Sequence, residues 1–330
     1  MKASAEGEAL LRIEEATKTF SLRQRGWRRR HIVALDGVSM TLRRGETVGL
    51  VGESGSGKST LGRCALNLLR LDGGRIVYRG REIQALPERE WRPLRRRLQM
   101  VFQNPVSSFN PMMTIEEALL DALRQVPELD VSRRRQRVGE LLEQVQLGAR
   151  FAVLYPYEMS GGQLQRAAIA RALAPEPDFI FLDEPTANLD MSIRGQIINL
   201  LLDLQQQEGG PGFVFVTHDL RVLRYVADRI YVITQGHIVE SGSRDQIFHA
   251  PRHPWTRALL EAASIGRRER RRDAGSDLDA DISLESSATG GCRLLARCPH
   301  ARERCAREPQ LLREIEPGQY VRCWRAEEID

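Results

Sequence analysis

Long apolar runs are missing from this sequence of 330 residues. No stretch approaches the roughly 20 consecutive apolar residues that a helix needs to cross a bilayer. The first residues, M-K-A-S-A-E-G-E, lack the apolar centre of a signal peptide. We therefore expect the chain to stay in the cytosol. With 42% hydrophobic and 28% charged residues, a chain of this length predicts one large α/β domain with a full core, plus an appendage.

Aromatic side chains are scarce beside the arginines. The formal net charge is +5 and the pI is near 9.1, so a nucleic-acid partner has to be considered. Apart from Trp27, however, no aromatic residue alternates with the arginines as base stacking would require. We interpret the clusters as solvated faces and loops, or as contacts to acidic lipid headgroups, and we expect no nucleic-acid partner. The clusters are Arg23–Arg30, Arg95–Arg97, Arg133–Arg137 and Arg267–Arg272.

Close C-x-x-C pairs are also absent, although four of the five cysteines lie near the C-terminus. Cys292, Cys298, Cys305 and Cys323 are separated by five, six and seventeen residues. Disulfides are disfavoured in the cytosol, so clustered thiols favour a metal site. Structural zinc usually shows close cysteine pairs, whereas four thiolates can also hold a [4Fe-4S] cluster. An iron-sulfur cluster, zinc and unligated thiols are the three interpretations, in that order.

The stretch from Gly52 to Thr60 reads G-E-S-G-S-G-K-S-T and precedes a segment, Leu61 to Leu69, for which we predict a helix. The pattern G-x-x-x-x-G-K-[ST] lets successive backbone N–H groups surround a polyphosphate, while Lys58 reaches its terminal phosphates. Ser59 supplies a Mg²⁺ ligand at a helix N-terminus, which also favours anions. We predict nucleotide binding by Gly52, Ser54, Gly55, Ser56, Gly57, Lys58, Ser59 and Thr60.

Polar residues follow three apolar strand patterns, at the strand ends where open α/β sheets bind ligands. Asp183 and Glu184 end the run F-I-F-L-D-E; we expect Asp183 to hold Mg²⁺ through water and Glu184 to orient and deprotonate the attacking water. Gln103 can contact the metal or water, or it can be an ordinary strand-to-loop residue. His218 follows another buried strand and can contact the γ-phosphate, although most single histidines are structural. Phe20, at the end of the first strand pattern, can stack on adenine or belong to the core.

A helical insertion is predicted between the halves of the sheet, from Thr114 to Gln125 and from Val131 to Val145. After it, M-S-G-G-Q-L-Q-R opens a long helix that ends at Leu173. Ser160 is a good N-cap, and the two glycines that follow expose backbone donors at the helix N-terminus. This is a second anion site in one chain.

Taken in order, these motifs resemble the ATPase subunit of an ABC transporter over Leu10 to about Ile265. The motifs are the phosphate loop, Gln103, M-S-G-G-Q, F-I-F-L-D-E, A-N-L-D and His218. The resemblance implies an α/β P-loop NTPase core of ABC type, in which a mixed sheet is joined by an antiparallel β subdomain and a helical subdomain. It also implies a head-to-tail pair of such domains that enclose ATP. Ser160, Gly161, Gly162 and Gln163 would then contact the partner's ATP, with Asp190 in the D-loop, and Mg²⁺ would be held through Ser59, Gln103 and Asp183.

A narrower resemblance, to the oligopeptide/dipeptide importer subfamily, comes from V-F-Q-N-P-V-S-S-F-N-P, from H-P-W-T-R-A-L-L at His253 to Leu260, and from the cysteine tail. It implies peptide import, with nickel or glutathione as alternative cargo. It also implies a second ATPase subunit, two transmembrane permease subunits, an extracytoplasmic binding protein and a place at the cytoplasmic face of the membrane. Some members carry a [4Fe-4S] cluster on this tail. The chain is more like the second ATPase of the pair.

The competing class is a DNA- or ribosome-associated ABC ATPase. Its members carry a long coiled coil or two ATPase domains in one chain, and neither feature is present here. We therefore predict an ABC ATPase domain over 1–265, with its helical subdomain at about 106–173. A linker over 266–291 and a C-terminal four-cysteine domain over 292–330 complete the predicted organisation.

Overall fold

The computed structural model describes residues 9–23, 29–187, 189–265 and 290–328. The predicted linker therefore lies outside the described residues, except for its last two. Among the helices of the described part, none combines the length and the apolar character needed to cross a membrane.

The described strands form two sheets. A four-stranded antiparallel sheet has the order β2-β1-β4-β5. Its strands are β1 (Ala9–Arg23), β2 (Arg29–Arg43), β4 (Gly73–Tyr78) and β5 (Arg81–Glu82). The strands of an eight-stranded mixed sheet are β3 (Thr47–Val51), β6 (Leu98–Val101), β7 (Phe179–Asp183), β8 (Gly212–Thr217), β9 (Arg229–Thr234), β10 (His237–Ser243), β11 (Arg313–Glu316) and β12 (Gln319–Val321). Their order is β11-β12-β10-β9-β3-β8-β7-β6, so the predicted combination of a mixed sheet and an antiparallel β part is confirmed.

Helices cover the faces of the larger sheet and form the predicted insertion. They are α1 (Lys58–Ala65), α2 (Glu88–Arg95), α3 (Ile115–Leu123), α4 (Val131–Gln144), α5 (Gly161–Leu173), α6 (Met191–Gln206), α7 (Leu220–Val226), α8 (Arg244–His249), α9 (Pro254–Ile265) and α10 (Glu303–Arg307). Helices α3, α4 and α5 confirm the helical insertion, and Thr114 and Ser160 cap α3 and α5 with reciprocal capping boxes.

The central strands are buried on both faces, as their continuous apolar sequences predict. In β7, Phe179 and Phe181 pack into the core shared with the antiparallel sheet, while Ile180 and Leu182 pack into the core shared with the helical insertion. Because side chains alternate across a strand, one strand serves both cores. The larger sheet therefore holds the two parts of the molecule together.

Helix α1 departs from its predicted bounds of Leu61 to Leu69. It begins at Lys58, because Gly57 has a left-handed backbone with φ of 109° that turns the chain directly into the helix. It ends at Ala65, and Asn67 already has a positive φ of 52°. The shift matters because Lys58 and Ser59 are the first two residues of the helix rather than part of the preceding loop.

The cysteine-bearing end of the chain joins the larger sheet. Strand β12 pairs with β10, with Val321 opposite Glu240. Glu240 is fully buried and accepts hydrogen bonds from the backbone N–H groups of Arg252 (2.7 Å) and His253 (3.0 Å), and from Nε2 of Gln319 (2.9 Å). One carboxylate therefore connects β10, the start of α9 and the C-terminal hairpin, none of which the sequence pattern had linked.

Gly62 tests the packing of α1 on β7. A Cβ at this position would lie 2.6 Å or less from three carbons of the Phe181 ring. We expect Gly62→Ala to lower the free energy of unfolding by about 1–3 kcal/mol, the usual cost of overpacking a core. Urea denaturation of the purified chain measures this change.

Gly139→Ala is the matched control, because Gly139 also lies inside a helix but has no atom within 4 Å of the added Cβ. It should be neutral or should raise the free energy of unfolding by about 0.5–1 kcal/mol. Equal stability of the two variants would mean that α1 does not pack on Phe181 as described.

Candidate active site

Four strand ends meet at one edge of the larger sheet. The parallel register places Val51 beside Thr217, Asp183 beside Val216 and Val101 beside Leu182. The residues that follow these strands are the phosphate loop, His218, Glu184 and the loop that contains Gln103. The structure therefore brings together side chains that are widely separated in the sequence, as strand-end placement predicted.

The phosphate loop is packed tightly against the backbone of its neighbours. A Cβ on Gly52 would collide with the carbonyl oxygen of Ile233, and a Cβ on Gly57 would collide with that of Ala34. The loop is also tied to the turn between β9 and β10, because the Gly236 N–H donates to the Ser56 carbonyl (3.0 Å). Glycine is therefore needed at these two positions for close backbone approach, as well as for access to phosphate.

The Lys58 ammonium lies inside the loop. It donates to the carbonyl oxygens of Gly52 (2.8 Å) and Glu53 (2.6 Å), and its residue is only 5% exposed. Burial lowers the pKa of Lys58, while the nearby Glu184 and Asp183 carboxylates oppose the shift. A desolvated cation held at this position is well suited to attract a polyphosphate.

Ser59 and Asp183 form a pair of oxygen ligands. The Ser59 hydroxyl donates to Oδ1 of Asp183 (2.9 Å). Burial raises the pKa of Asp183, and the hydrogen bond from Ser59 opposes that shift. Hydroxyl and carboxylate oxygens are the ligand types that Mg²⁺ accepts, together with water and phosphate. The residues present therefore fit a Mg²⁺ ion accompanied by nucleotide.

Glu184 contacts both Gln103 and His218. Its Oε2 accepts a hydrogen bond from Nε2 of Gln103 (3.2 Å) and lies 3.3 Å from Nδ1 of His218. Glu184 follows β7 with a left-handed φ of 46°, and its N–H donates to the Val216 carbonyl (3.1 Å). The Glu184 side chain lines the same cleft as the phosphate loop.

These groups surround an open cleft of about 510 Å³. The cleft is lined by Ala34, Ser54, Gly55, Gly57, Lys58, Ser59, Thr60, Gln103, Glu184 and His218. Ala34 was not predicted, and no local signal marks it, because it comes from the antiparallel sheet. Phe20, the predicted adenine contact, is not among the described lining residues; its ring instead lies 5.8 Å from the Lys18 ammonium.

The second predicted anion site lies at the start of α5. Ser160 accepts from the Gln163 N–H (3.4 Å), and Gln163 Oε1 accepts from the Ser160 N–H (2.9 Å). None of Ser160, Gly161, Gly162 and Gln163 is among the described residues that line the cleft beside Lys58. Asp190, exposed at the start of α6, is not among them either.

The four C-terminal cysteines line one cavity of about 240 Å³, together with His253 and His300. All four are free thiols. Burial raises the pKa of Cys292, and it raises the pKa of Cys323 to about 11, with the neighbouring thiols adding to both shifts. Among the described residues, however, no three His, Cys, Asp or Glu side chains are placed to hold one metal ion. The predicted Cys-ligated metal domain is therefore not established by this geometry.

Comparison with known families gives two matches. The family described as ABC transporter matches residues 35–187, and the family described as oligopeptide/dipeptide transporter, C-terminal region, matches residues 239–305. The second match includes three of the four cysteines of the tail. The segment between the two matches contains α6, β8, α7 and β9.

Curated relatives match almost the whole chain. A Brucella ovis protein named as a peptide import ATP-binding protein is 44% identical over 291 residues, which cover 88% of this chain and 91% of that protein. The Bacillus subtilis protein YkfD, named as an oligopeptide transport ATP-binding protein, is 41% identical over 303 residues, which cover 90% of each chain.

Solved structures share the fold. The dimeric ATP-binding cassette MJ0796, in a post-hydrolysis state bound to ADP and Pi, has a TM-score of 0.62 at 32% identity and covers 71% of this chain and 98% of its own. CbiO1 from Clostridium perfringens, part of an ABC transporter complex, has a TM-score of 0.63 at 26% identity, with 80% and 95% covered. These similarities confirm the predicted P-loop fold of ABC type.

Proposed function

This chain belongs to the ABC transporter family of ATPases, and we propose that it powers peptide import through a membrane permease from the cytoplasmic face of the membrane. The observation that carries the proposal is the convergence of Lys58, Ser59, Glu184 and His218 around one cleft, with Asp183 hydrogen-bonded to Ser59. Peptide as the cargo is supported by the oligopeptide/dipeptide transporter region at residues 239–305 and by the names of the curated relatives.

Lys58 and the first N–H groups of α1 bind the phosphates of ATP in this proposal. The first N–H groups of a helix have no partner within it, so they are available to phosphate oxygens. Ser59 and Asp183 would hold Mg²⁺, Asp183 through water, with Gln103 as a further ligand or water contact. When bound, the ion neutralises negative charge on the phosphates.

Glu184 is the proposed general base. It accepts a proton from the water that attacks the γ-phosphorus, and the bond from that phosphorus to the ADP oxygen breaks. His218 lies next to this carboxylate and is 65% exposed on its side chain, so it is free to turn toward the γ-phosphate. Gln103, hydrogen-bonded to the same carboxylate, connects the site to the loop that follows β6.

A second ATPase subunit completes the site. Ser160, Gly161, Gly162 and Gln163 are exposed or half-exposed residues at a helix N-terminus and are not among the described residues that line this chain's own cleft. We propose that they contact the ATP held by a partner ATPase, with Asp190 at the same interface. The dimeric state of the related cassette MJ0796 supports this arrangement.

Glu184→Gln tests the assignment of the base. The amide cannot accept the proton from water, so we expect ATP turnover to fall by about 10²–10⁴-fold while ATP binding persists. Phosphate release and equilibrium binding of ATP, measured on the same preparation, separate the two effects. Glu208→Gln, on the loop after α6, is the control and should retain the turnover of the unmodified chain. Undiminished turnover in Glu184→Gln would refute the role of this carboxylate.

An arginine-lined groove beside the Gln103 loop is the proposed docking surface for the permease. The lining includes the apolar residues Leu66, Met100 and Phe102, and it has seven arginines against two carboxylates, Asp121 and Glu128. The arginines are Arg89, Arg92, Arg95, Arg96, Arg97, Arg124 and Arg171. This charge favours a cytoplasmic permease helix that presents acidic and apolar side chains. Movement of the Gln103 loop would then reach the permease directly.

Charge reversal in the groove tests this docking surface. We expect Arg92→Glu combined with Arg124→Glu to reduce, at least tenfold, the membrane-spanning proteins that copurify in stoichiometric amounts with the tagged chain from detergent-solubilised membranes. Binding of ATP to the isolated chain should not change. Arg133→Glu combined with Arg135→Glu, both exposed on α4, is the charge-matched control. An equal loss in the control, or no loss in the groove variant, would contradict the assignment.

We also propose that the four-cysteine cavity holds a [4Fe-4S] cluster. Structural zinc sites usually contain close C-x-x-C pairs, which this segment lacks. Four thiols around a cavity of about 240 Å³ suit a larger cluster better. Such a cluster would crosslink Cys292, Cys298, Cys305 and Cys323 in a segment that has little core of its own.

Metal analysis of anaerobically purified protein tests the cluster. We expect about four iron and four sulfide per chain, and we expect Cys323→Ser to lower the iron content. Cys64→Ser is the control, because Cys64 is buried in the ATPase core; it should leave the iron content unchanged. Stoichiometric zinc without iron would overturn the proposal.

A further inference from the structure

Arginines next to the cysteines reach out of the C-terminal segment and contact the ATPase core. Arg293 follows Cys292, and Arg297 precedes Cys298. Arg322, which precedes Cys323, donates from Nε to the Ile238 carbonyl on β10 (3.0 Å). Arg297 also lines the cavity that the cysteines line. Arg293 and Arg297 connect the cysteine segment to the phosphate loop.

Arg293 connects to the phosphate loop through the turn between β9 and β10. Its guanidinium donates to the Gln235 carbonyl (2.5 Å) and pairs with Asp36 on β2. The next residue in that turn, Gly236, donates to the Ser56 carbonyl (3.0 Å), and its own carbonyl accepts from the Asp36 N–H (2.9 Å). Arg293 thus contacts Gln235 in this turn and also Asp36, which is hydrogen-bonded to Gly236 of the same turn. Charge-assisted hydrogen bonds of this kind are stronger than neutral ones.

Arg297 contacts the phosphate loop directly. Its Nη1 lies 3.4 Å from both carboxylate oxygens of Glu53. The carbonyl of the same Glu53 accepts the hydrogen bond from the Lys58 ammonium (2.6 Å). Glu53 therefore contacts the cysteine segment through its carboxylate and the proposed phosphate-binding lysine through its backbone carbonyl.

We propose that Arg293 and Arg297 are positioning residues that brace the phosphate loop against the cysteine segment and so raise its affinity for ATP. Loops that are held in their binding conformation lose less entropy when the ligand binds. The inference rests on the proposed role of Gly52–Thr60 in binding ATP, and it assigns the C-terminal segment a part in nucleotide binding that neither family match describes.

The test measures equilibrium affinity of the full-length chain for a fluorescent, non-hydrolysable ATP analogue. We expect Arg297→Ala to weaken binding about two- to fivefold, because it removes a partly exposed ion pair and such pairs contribute little free energy. Arg293→Ala should weaken it about tenfold or more, because a charged donor to two partners is removed. Arg307→Ala is the matched control; Arg307 lies in the same segment and pairs with Glu303 in its own helix. Its affinity should equal that of the unmodified chain.

Two further measurements separate positioning from a general loss of structure. Glu53→Ala combined with Arg297→Ala should bind no more weakly than the weaker of the two single variants, because both remove one contact. Arg297→Lys, which keeps the charge, should restore most of the affinity. The thermal melting temperature and the iron content of Arg297→Ala should stay at the values of the unmodified chain.

Unchanged affinity in both Arg293→Ala and Arg297→Ala would overturn the brace. So would additive effects of Glu53→Ala and Arg297→Ala, or an equal loss in Arg307→Ala. If the unmodified chain itself fails to bind the analogue, the nucleotide role of the loop is wrong and the inference falls with it. That outcome is distinguishable because it appears before any variant is compared.

Discussion

Parallel pairing of β3 with β8, and of β8 with β7, is the constraint on which the rest of the molecule depends. A one-residue slip in this pairing would exchange the two faces of a strand and move the strand ends apart. The register is held by burial on both faces: Phe181 packs into one core and Leu182 into the other. The chemistry at the sheet edge is therefore fixed by core packing some distance from it. The site itself adds only a few hydrogen bonds, such as that from Ser59 to Asp183.

The charged groups of the site, Lys58 and Glu184, lie close together because each has compensating contacts. Lys58 is buried among carbonyls and faces two carboxylates, so its positive charge is desolvated yet balanced. Glu184 stays at the cleft surface, where Gln103 and His218 supply polar contacts. A polyphosphate brings several negative charges into this cleft, so the cation must already be in place. The imidazole of His218, with 65% of its side chain exposed, is free to turn.

The sequence was most informative where chemistry demands fixed spacing. The phosphate loop, the N-cap at Ser160 and the acids after β7 could be placed because each role requires particular residue types at particular positions along the chain. Helix α2 was missed because Pro93 lies inside it, and a proline interrupts the expected helical pattern. The hairpin of β11 and β12 was missed because R-E-I-E does not read as a buried strand. Contacts such as Arg293 to Gln235 could not be predicted, since nothing local marks a partner 58 residues away.

The C-terminal hairpin changes how the edge of the larger sheet can behave. Strand β10 would otherwise present unpaired backbone groups, on which strands of other molecules can add. Strand β12 covers that edge, and β11, which is short and carries Arg313, Glu314 and Glu316, becomes the new one. Charged, short edge strands resist such addition. A chimera or truncation that ends near Ile265 would therefore leave β10 as an unpaired edge strand. It would also remove the hydrogen bond from Gln319 to the buried Glu240 carboxylate. The C-terminal hairpin therefore protects the β10 edge from such strand addition.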